Sequence, residues 1–317
     1  MSHSEPIIPP VPREVLEREL TRERFIRTTN KGNNKIFDFA AKEAPALMRE
    51  VGRLREIAFR MAGGGTGKSI DIDQYDESDI PFRQLIVWDP EDHEILGGYR
   101  YILCKHLPQN QEGTKYLATS HMFHFTDRFI EEYFPHMIEL GRSFVQPLYQ
   151  SSKAGAKSLY ALDNLWDGLG SLVVDHPDMT YFFGKVTMYT HFNQEARDYI
   201  LGFWRKYFRD KENLVYAYNP IKIRFTDEQC DDIFNTGSFR DDYKLLVRKV
   251  RECGENIPPL VNAYMTLSPS MKVFGTAIND EFGDVEETGI IINLHDLYAN
   301  KSERHVNSYK QSKQTEQ

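Results

Sequence analysis

Charged residues stand inside two segments that otherwise have the pattern of β-strands. Arg100 lies in the apolar run ILGGYRYILC, and Glu139 and Arg142 lie in MIELGRSFV. A buried guanidinium needs a carboxylate partner, so a group of arginines and carboxylates beside a cleft would explain these charges. A purely structural cluster of salt bridges is the alternative. Residues three apart in a regular strand face opposite sides, so Glu139 and Arg142 share a face only if a bulge intervenes, for which Gly141 is the candidate.

A glycine-rich segment, AGGGTGKS, precedes four aspartates at positions 71, 73, 76 and 79. The segment has the composition of a phosphate-binding loop, but such a loop follows a strand and opens a helix. Here the segment follows a predicted helix and leads into carboxylates that would repel phosphate. We therefore predict a flexible loop near the substrate. The aspartates could hold a metal or orient an amine, although solvated surface is the commoner explanation for an acidic loop.

Metal and hydrolase chemistry find no support in the sequence. His121 and His124 have the i, i+3 spacing of metal ligands only if they lie on a helix, and SHMFHF does not have a helical pattern. Cys104, Cys230 and Cys253 are far apart and form no CxxC pair, which indicates neither a zinc site nor a disulfide framework. The sequence has no GxSxG motif and no His followed by Asp five positions later. We predict that no metal takes part.

Composition limits the possible partners and the compartment. The chain has 317 residues, of which 40% are hydrophobic and 13% aromatic, enough for a large domain or two ordinary ones. A net charge of −8 argues against binding to duplex nucleic acid. No apolar run approaches the ~20 residues that span a bilayer, and the N-terminal segment does not have the pattern of a signal peptide. These features predict a cytoplasmic protein.

The charged segments belong to a predicted order of helix, β-hairpin, strand, helix, strand and helix. An apolar face recurs from Leu47 to Met61, and a hairpin joins QLIVWD to ILGGYRYILC through a five-residue turn, PEDHE. Helices are also predicted after caps at Thr126 and Asn193. The further predicted elements are a strand at MIELGRSFVQ, a helix from Ala156 to Val174, a strand at TYFFGKVTMY, amphipathic helices at Arg240–Glu252 and PPLVNAYM, and strands at MKVFGTAI and TGIIINLH. The proline-rich and polar chain ends are expected to be poorly ordered.

Several of these residues together resemble a known family. Arg55 with Phe59, Asp73 with Asp76, Arg100, and the Glu139–Arg142 segment ELGR resemble the acyl-homoserine-lactone synthases, which belong to the GNAT-like N-acyltransferase superfamily. The segments RLREIAFR, GTGKSIDIDQYD, GGYRY, ELGRSFVQP, LDNLWDGLG and PPLVNAYM are more similar to the ornithine- and glycine-lipid N-acyltransferases, often labelled hemolysins. The resemblance covers about residues 40–295.

The resemblance implies an α/β fold with a GNAT-like, mixed but mostly antiparallel, twisted sheet flanked by helices. We expect a lead-in over 1–35, the acyltransferase domain over 36–298 with an insertion at 210–257 before the last strands, and a polar tail over 299–317.

The activity implied is transfer of a long-chain acyl group from acyl carrier protein, or from acyl-CoA, to the amine of an amino acid such as ornithine or glycine. This step belongs to amino-acid lipid biosynthesis, and its product would bring peripheral contact with the inner membrane. A signal synthase of the homoserine-lactone type is one alternative, and a non-catalytic binding protein on the same scaffold is another.

The resemblance also assigns roles. Glu139 is the first candidate for the base that deprotonates the amine, with Arg142 and Arg100 beside it. Asp73 and Asp76 would orient the substrate ammonium or brace the two arginines. Backbone N–H groups near Ser143 to Val145 would stabilise the oxyanion. The residues expected to bind substrate are Arg55, Phe59, Phe144, Val145 and Trp166.

The donor is expected to bind at the start of the helix near Ala156. The superfamily's pyrophosphate loop is present only as the degenerate QSSKAGAK, which favours a carrier-protein donor over coenzyme A. The residues expected to meet its phosphopantetheine phosphate are Lys153, Ala154, Gly155, Ala156 and Lys157. An acidic carrier protein would dock on the basic side of the Arg240–Glu252 helix, namely Arg240, Lys244, Arg248 and Arg251, for which a solvated helix face is the alternative.

Overall fold

A large, mostly antiparallel sheet organises the molecule, as seen in a computed structural model that describes residues 4–150 and 156–315. The strands are β1 (Phe25–Thr28), β2 (Lys35–Ala40), β3 (Arg83–Asp89), β4 (Glu94–Leu103), β5 (Phe123–Phe125), β6 (Met137–Val145), β7 (Tyr181–Met188), β8 (Val215–Ala217), β9 (Lys272–Asn279) and β10 (Val285–Asn293). Eight of them form one sheet in the order β1-β2-β3-β4-β6-β7-β10-β9, and β5 pairs with β8. Only the β6–β7 pair of the large sheet is parallel. The predicted mixed sheet is confirmed.

Helices cover both faces of this sheet. They are α1 (Arg13–Glu19), α2 (Pro45–Met61), α3 (Gln74–Glu77), α4 (Gln111–Thr114), α5 (Asp127–Glu132), α6 (Ala156–Asp175), α7 (Gln194–Tyr207), α8 (Asp227–Ile233), α9 (Phe239–Glu252), α10 (Pro259–Met265), α11 (Ala299–Lys301) and α12 (Ser308–Thr315). Side chains alternate between faces along a strand. On β3, Ile86 packs with α2 in one core cluster, whereas Leu85 packs with α6 in another. We call these the α2 face and the α6 face.

The sheet opens between its two parallel strands. β6 pairs with β7 only over Met137–Glu139 and Tyr181–Phe183, and beyond these residues no further pairing between the two strands is described. On its other side β6 carries a bulge, as its charges suggested, but at Arg142–Ser143 and not at Gly141. Gly98 is opposite Phe144 and Arg100 is opposite Gly141, so two residues of β6 stand against one of β4. Arg142, one of those two residues, has a φ of 49°. A bulge bends the strand that carries it, and past Glu139 a gap separates β6 from β7.

The chain ends depart from the prediction of poorly ordered tails. The backbone N–H groups of Glu5 and Ile8 donate to the carbonyls of Gly67 and Ser69 at 2.8 and 3.1 Å. At the other end, residues 299–315 are helical and pack on α6, where His305 Nδ1 lies 2.8 Å from Asp167 Oδ1. The prediction of poor order, made for residues 1–12 and for the final segment NSYKQSKQTEQ, is therefore wrong for residues 4–12 and 307–315. The hairpin turn is also one residue shorter than expected, because Glu94 already belongs to β4.

The glycine-rich segment is held in place and is not the flexible loop that the sequence suggested. The buried carboxylate of Glu56, on α2, accepts from the backbone N–H groups of Thr66 at 3.1 Å and Gly67 at 2.9 Å. Gly63, Gly65 and Gly67 take positive φ values, the left-handed conformation that glycine adopts without strain. The segment thus forms a fixed connection from α2 to the aspartates. Within the two described ranges, no helix combines the length and apolar character needed to span a bilayer.

Candidate active site

A cavity of about 490 Å³ fills the gap between β6 and β7, a volume usual for a small-molecule site. Because alternate residues of a strand face opposite sides, the cavity passes through the sheet. Its polar end lies on the α2 face and is lined by Arg100, Glu139, Arg142, Lys185 and Glu287. Its apolar end lies on the α6 face and is lined by Leu162, Phe182, Leu260, Ile290 and Ile292. Predicted site residues Phe59, Phe144 and Val145 also line it.

Glu139 is the one carboxyl of the cavity wall that lacks a cationic partner among the described residues. Its side chain is 1% exposed, and its Oε2 accepts the backbone N–H of Ala118 at 3.0 Å, while Oε1 has no hydrogen-bond partner in the described structure. Burial raises the pKa of Glu139 to about 7, against the opposing effects of Thr119, Ala118 and Arg100. The sequence could not decide whether burial or a neighbouring arginine would prevail, and burial does. A carboxyl that titrates near neutral pH is suited to act as a general base.

The other predicted charges form a buried network, as the strand residues suggested. Arg55 donates to Asp76 Oδ2 at 3.2 Å and to Gln84, and Arg100 contacts Asp73 at 2.7 Å and Asp76 at 3.2 Å. Although burial acts against it, the guanidinium of Arg100 lowers the pKa of Asp73. Asp71 and Asp76 are fully buried, so solvated surface is the wrong explanation for these two aspartates, whereas Asp79 is exposed.

Arg142 ties the bulge of β6 to the same loop. Its Nε lies 2.9 Å from Asp71 Oδ2, its guanidinium reaches Asp73 at 3.5 Å, and its Cζ lies 4.2 Å from the ring centroid of Phe282. Burial raises the pKa of Asp71, which is fully enclosed. Of the two roles expected for the aspartates, the geometry favours bracing the arginines, because Asp73 and Asp76 do not line the cavity.

Comparison with known proteins agrees with this geometry. The acetyltransferase (GNAT) domain family matches residues 54–159. Over 308 residues the chain is 56% identical to a glycine N(alpha)-acyltransferase of Bacteroides thetaiotaomicron, covering 97% of this chain and 91% of that protein. The chain belongs to the GNAT N-acyltransferase family. The chain is also 52% identical over 305 residues to a glycine N(alpha)-acyltransferase of Phocaeicola vulgatus, and the match covers 96% of this chain and 94% of that protein. No solved structure matches the chain significantly.

Two residues assigned to substrate binding lie elsewhere in this acyltransferase. Arg55 is fully buried behind the cavity, where it binds Asp76 and Gln84, so it braces the network and does not reach a ligand. Trp166 packs edge-on against Tyr264 at 5.9 Å between ring centroids and lines a separate small hollow on the α6 face. The spacing of both residues matched the family, but spacing alone does not show on which side of a helix the ligand lies.

Sequence reasoning missed a second charged cluster in the acyltransferase. Lys185 on β7 lies with its Nζ 2.5 Å from Glu287 Oε2 on β10, and Glu287 is also bound by Thr187 and Asn279. The available signal was the one used for Arg100, a charge inside an apolar strand, since Lys185 interrupts TYFFGKVTMY. A further missed residue is Tyr99, whose buried hydroxyl has no hydrogen-bond partner in the described structure and whose pKa is raised by burial.

The predicted donor site of the acyltransferase is described only in part. Lys153, Ala154 and Gly155 lie outside the described residues, and α6 begins at Ala156. Lys157 does not present a free charge to a phosphate, because its Nζ lies 2.6 Å from Asp89 Oδ2 and 2.6 Å from Asp92 Oδ2. This corrects the role assigned to Lys157. Gln150, immediately before the undescribed residues, lines the cavity, as do Ala161 and Leu162 of α6.

The basic side of α9 is exposed, as expected for a docking surface or for a solvated helix. Two of its cations have acidic neighbours: Lys244 lies 2.8 Å from Asp241, and Arg248 lies 3.9 Å from Glu252. The four exposed cations, which we call the α9 basic face, are Arg240, Lys244, Arg248 and Arg251. The helix packs through Leu246 and Val250 into the cluster that contains α7.

Proposed function

We propose that this protein transfers a long-chain fatty acyl group from a thioester donor to the α-amine of glycine. The observation that carries the proposal is the cavity through the sheet, which joins a carboxyl with a pKa near neutrality to an apolar end. The relatives named glycine N(alpha)-acyltransferase favour glycine over ornithine as the acceptor. The product, an N-acylglycine, is the first intermediate in the synthesis of an amino-acid lipid. Release of this product would bring the enzyme to the cytoplasmic side of a membrane.

Glu139 acts first in the proposed reaction. The amine of glycine is protonated at neutral pH, so it first releases one proton to solvent and becomes nucleophilic, and it loses a second proton as it attacks the carbonyl. Glu139 accepts the proton that leaves the nitrogen as the new C–N bond forms. The oxyanion that forms on the thioester carbonyl then accepts hydrogen bonds from backbone N–H groups of the bulged strand at Ser143–Val145, which line the cavity. When the C–S bond breaks, the Tyr99 hydroxyl donates a proton to the departing thiolate. Tyr99 then regains a proton from solvent and Glu139 releases the one that it accepted, so both groups return to their starting states.

The backbone on either side of the gap suits the pantetheine arm of the donor. Beyond Glu139 and Phe183 the facing edges of β6 and β7 are described without ladder partners, so their N–H and C=O groups can bind the amides of that arm. Apolar side chains such as Leu162 and Leu260 then receive the acyl chain.

An acyl carrier protein is the proposed donor. Lys157 is already neutralised by Asp89 and Asp92, so it adds little attraction for the phosphates of free coenzyme A. The α9 basic face offers an acidic carrier protein a complementary surface on an otherwise negative molecule.

The test uses palmitoyl-carrier protein and palmitoyl-CoA, each with glycine, ornithine or homoserine lactone. Thiol release and the mass of the N-acyl product are measured together. We expect N-palmitoylglycine, with a lower KM for the carrier-bound donor. Thiol release without an N-acyl product would contradict transfer. Turnover of ornithine alone would contradict glycine as acceptor, and turnover of homoserine lactone alone would indicate a signal synthase. No turnover with any amine would indicate a binding protein.

Carrier docking is tested separately with Arg240→Glu combined with Arg248→Glu. We expect a higher KM for palmitoyl-carrier protein and an unchanged KM for palmitoyl-pantetheine. Lys115→Glu combined with Arg128→Glu makes the same charge change at exposed residues away from α9 and serves as the control. An equal rise of KM in both double variants would refute docking at α9.

A further inference from the structure

We propose that Lys185 binds the α-carboxylate of the acceptor and thereby selects small α-amino acids without a charged side chain. The inference rests on the proposed function, which it deepens. Lys185 lies two residues beyond Phe183, the last residue of β7 that pairs with β6, and it faces the same side of the sheet as Glu139. Its side chain is 11% exposed and lines the polar end of the cavity.

The ammonium of Lys185 has donor capacity left for a ligand. A lysine carries three N–H donors. Within the described structure, its polar contacts are Glu287 Oε2 at 2.5 Å and the thioether sulfur of Met122 at 3.7 Å, and a thioether is a weak acceptor. At least one strong hydrogen bond can therefore still be made, and the cavity is the space into which it can be directed.

Glu287 holds Lys185 in position without exhausting its charge. Thr187 Oγ1 donates to Glu287 Oε1 at 3.0 Å, and Asn279 Nδ2 donates to Oε2 at 2.8 Å. Although burial acts against it, the charge of Lys185 lowers the pKa of Glu287, so the carboxylate stays ionised. Because its carboxylate is shared among three donors, Glu287 fixes the position of the ammonium while leaving it attractive to a second anion. Such pre-organisation reduces the entropic cost of binding.

The other cations of the polar end are already committed. Arg100 contacts both Asp73 and Asp76, and Arg142 contacts both Asp71 and Asp73. Each of these guanidinium groups faces two carboxylates, whereas Lys185 faces one. Lys185 is therefore the cation of the cavity wall that is best placed to bind an acceptor carboxylate.

The placement of the two charges suits an α-amino acid. Glu139 is opposite Phe183, so Lys185 lies two positions, or roughly 6–7 Å, further along the neighbouring strand on the same face of the sheet. One compact molecule could thus place its amine at Glu139 and its carboxylate at Lys185. Among the described residues the cavity wall offers two carboxylates, Glu139 and Glu287, and Glu287 is taken by Lys185. A second ammonium, such as that of ornithine, finds no carboxylate left.

The experiment compares glycine with glycinamide, which lacks the carboxylate, using one palmitoyl thioester donor. The measured quantity is the ratio of kcat/KM for the two acceptors, determined for the wild type, Lys185→Met and Lys185→Arg, together with the KM of the donor. Loss of a hydrogen bond between charged groups corresponds to roughly a 10- to 100-fold change. We expect the ratio to fall by that factor in Lys185→Met, with the donor KM unchanged, and to recover in part in Lys185→Arg.

Lys272→Met is the matched control, because Lys272 also pairs with a carboxylate but lies outside the cavity wall. Its ratio should equal that of the wild type. Lys185→Met leaves Glu287 buried without its cation and can fail to fold. In that case the same ratio of kcat/KM is measured for Lys185→Met combined with Glu287→Gln, which removes both charges.

Two further outcomes separate this inference from the proposed function. If the wild type acylates glycine and glycinamide equally well, or if the variant keeps the wild-type ratio, the carboxylate subsite is refuted while N-acyl transfer stands. If the wild type acylates neither acceptor nor any other amine, the proposed function fails and the subsite fails with it.

Discussion

Glu139→Gln should change the pH dependence of stability in a direction that only a buried, neutral carboxyl explains. The ordinary pKa of this group is 4.5, and burial raises it to about 7 in the folded protein. Each tenfold difference in proton affinity corresponds to about 1.4 kcal/mol, so the unfavourable contribution of Glu139 reaches about 3 kcal/mol once the group is ionised. The amide of Gln keeps an oxygen for the N–H of Ala118 and never ionises.

The sign follows from which state binds the proton. Below about pH 4.5 the carboxyl is protonated in both the folded and unfolded chain, so it contributes no pH dependence there. Between about pH 4.5 and 7 the unfolded chain releases the proton while the folded protein retains it, and stability falls as pH rises. Above about pH 7 this contribution is constant. The free energy of unfolding of Glu139→Gln, relative to the wild type, should therefore increase by about 3 kcal/mol from pH 4.5 to pH 8.

Urea unfolding of both proteins at half-unit intervals of pH measures this difference, because the groups that titrate equally in both cancel. Activity gives an independent measurement: wild-type kcat should rise about tenfold per pH unit up to about pH 7 and then level off. The variant should be ~10²-fold or more slower than the wild type above pH 7 and should lack this rise, so the difference narrows at lower pH. A stability difference that does not vary between pH 4.5 and 8 would refute the reasoning, since it would mean that Glu139 ionises as it does in water.

Three further substitutions test the surroundings of the cavity. Arg100→Met leaves the buried carboxylates of Asp73 and Asp76 short of a cation and should cost about 3 kcal/mol of unfolding free energy, measured in urea at pH 7. Gly184→Ala places a Cβ 2.7 Å from the Leu140 carbonyl across the gap and should cost about 1–3 kcal/mol; a variant as stable as the wild type would contradict the described approach of the two strands. Leu162→Trp fills the apolar end and should shift kcat/KM at least about tenfold toward an eight-carbon donor over a sixteen-carbon one, measured by competition between them.

Local patterns predicted most of the fold because their causes are local. The caps at Thr126 and Asn193 depend on a side chain and the backbone two or three residues later, and both are present. The bulge in β6 followed from the parity of strand residues applied to Glu139 and Arg142. Strands β1 and β2 were missed because neither shows the alternation of a half-buried strand: β1 has four residues with one buried side chain, and β2 buries four of its six residues, two of them adjacent at each end of the buried stretch.

Contacts between distant segments could not be predicted. Lys185 and Glu287 are 102 positions apart and meet only because β7 and β10 pair in one particular register. The C-terminal segment is polar and resembles a tail, yet it packs because α6 supplies acidic partners such as Asp167 for His305. Arg55 shows the same limit. Its residue type and spacing indicated a role in substrate binding, but the fold buries Arg55, where it holds Asp76 and Gln84 in place.

The parting of β6 from β7 also divides the sheet mechanically. Five strands lie on one side of the gap and three on the other, and three residue pairs, Met137–Glu139 with Tyr181–Phe183, join the two halves through their backbones. A molecule seated there takes the place of the missing ladder and couples one half to the other. A bound ligand should therefore slow amide hydrogen exchange along the facing edges of both strands. The sheet is then most rigid with a ligand bound and most flexible after the product has dissociated.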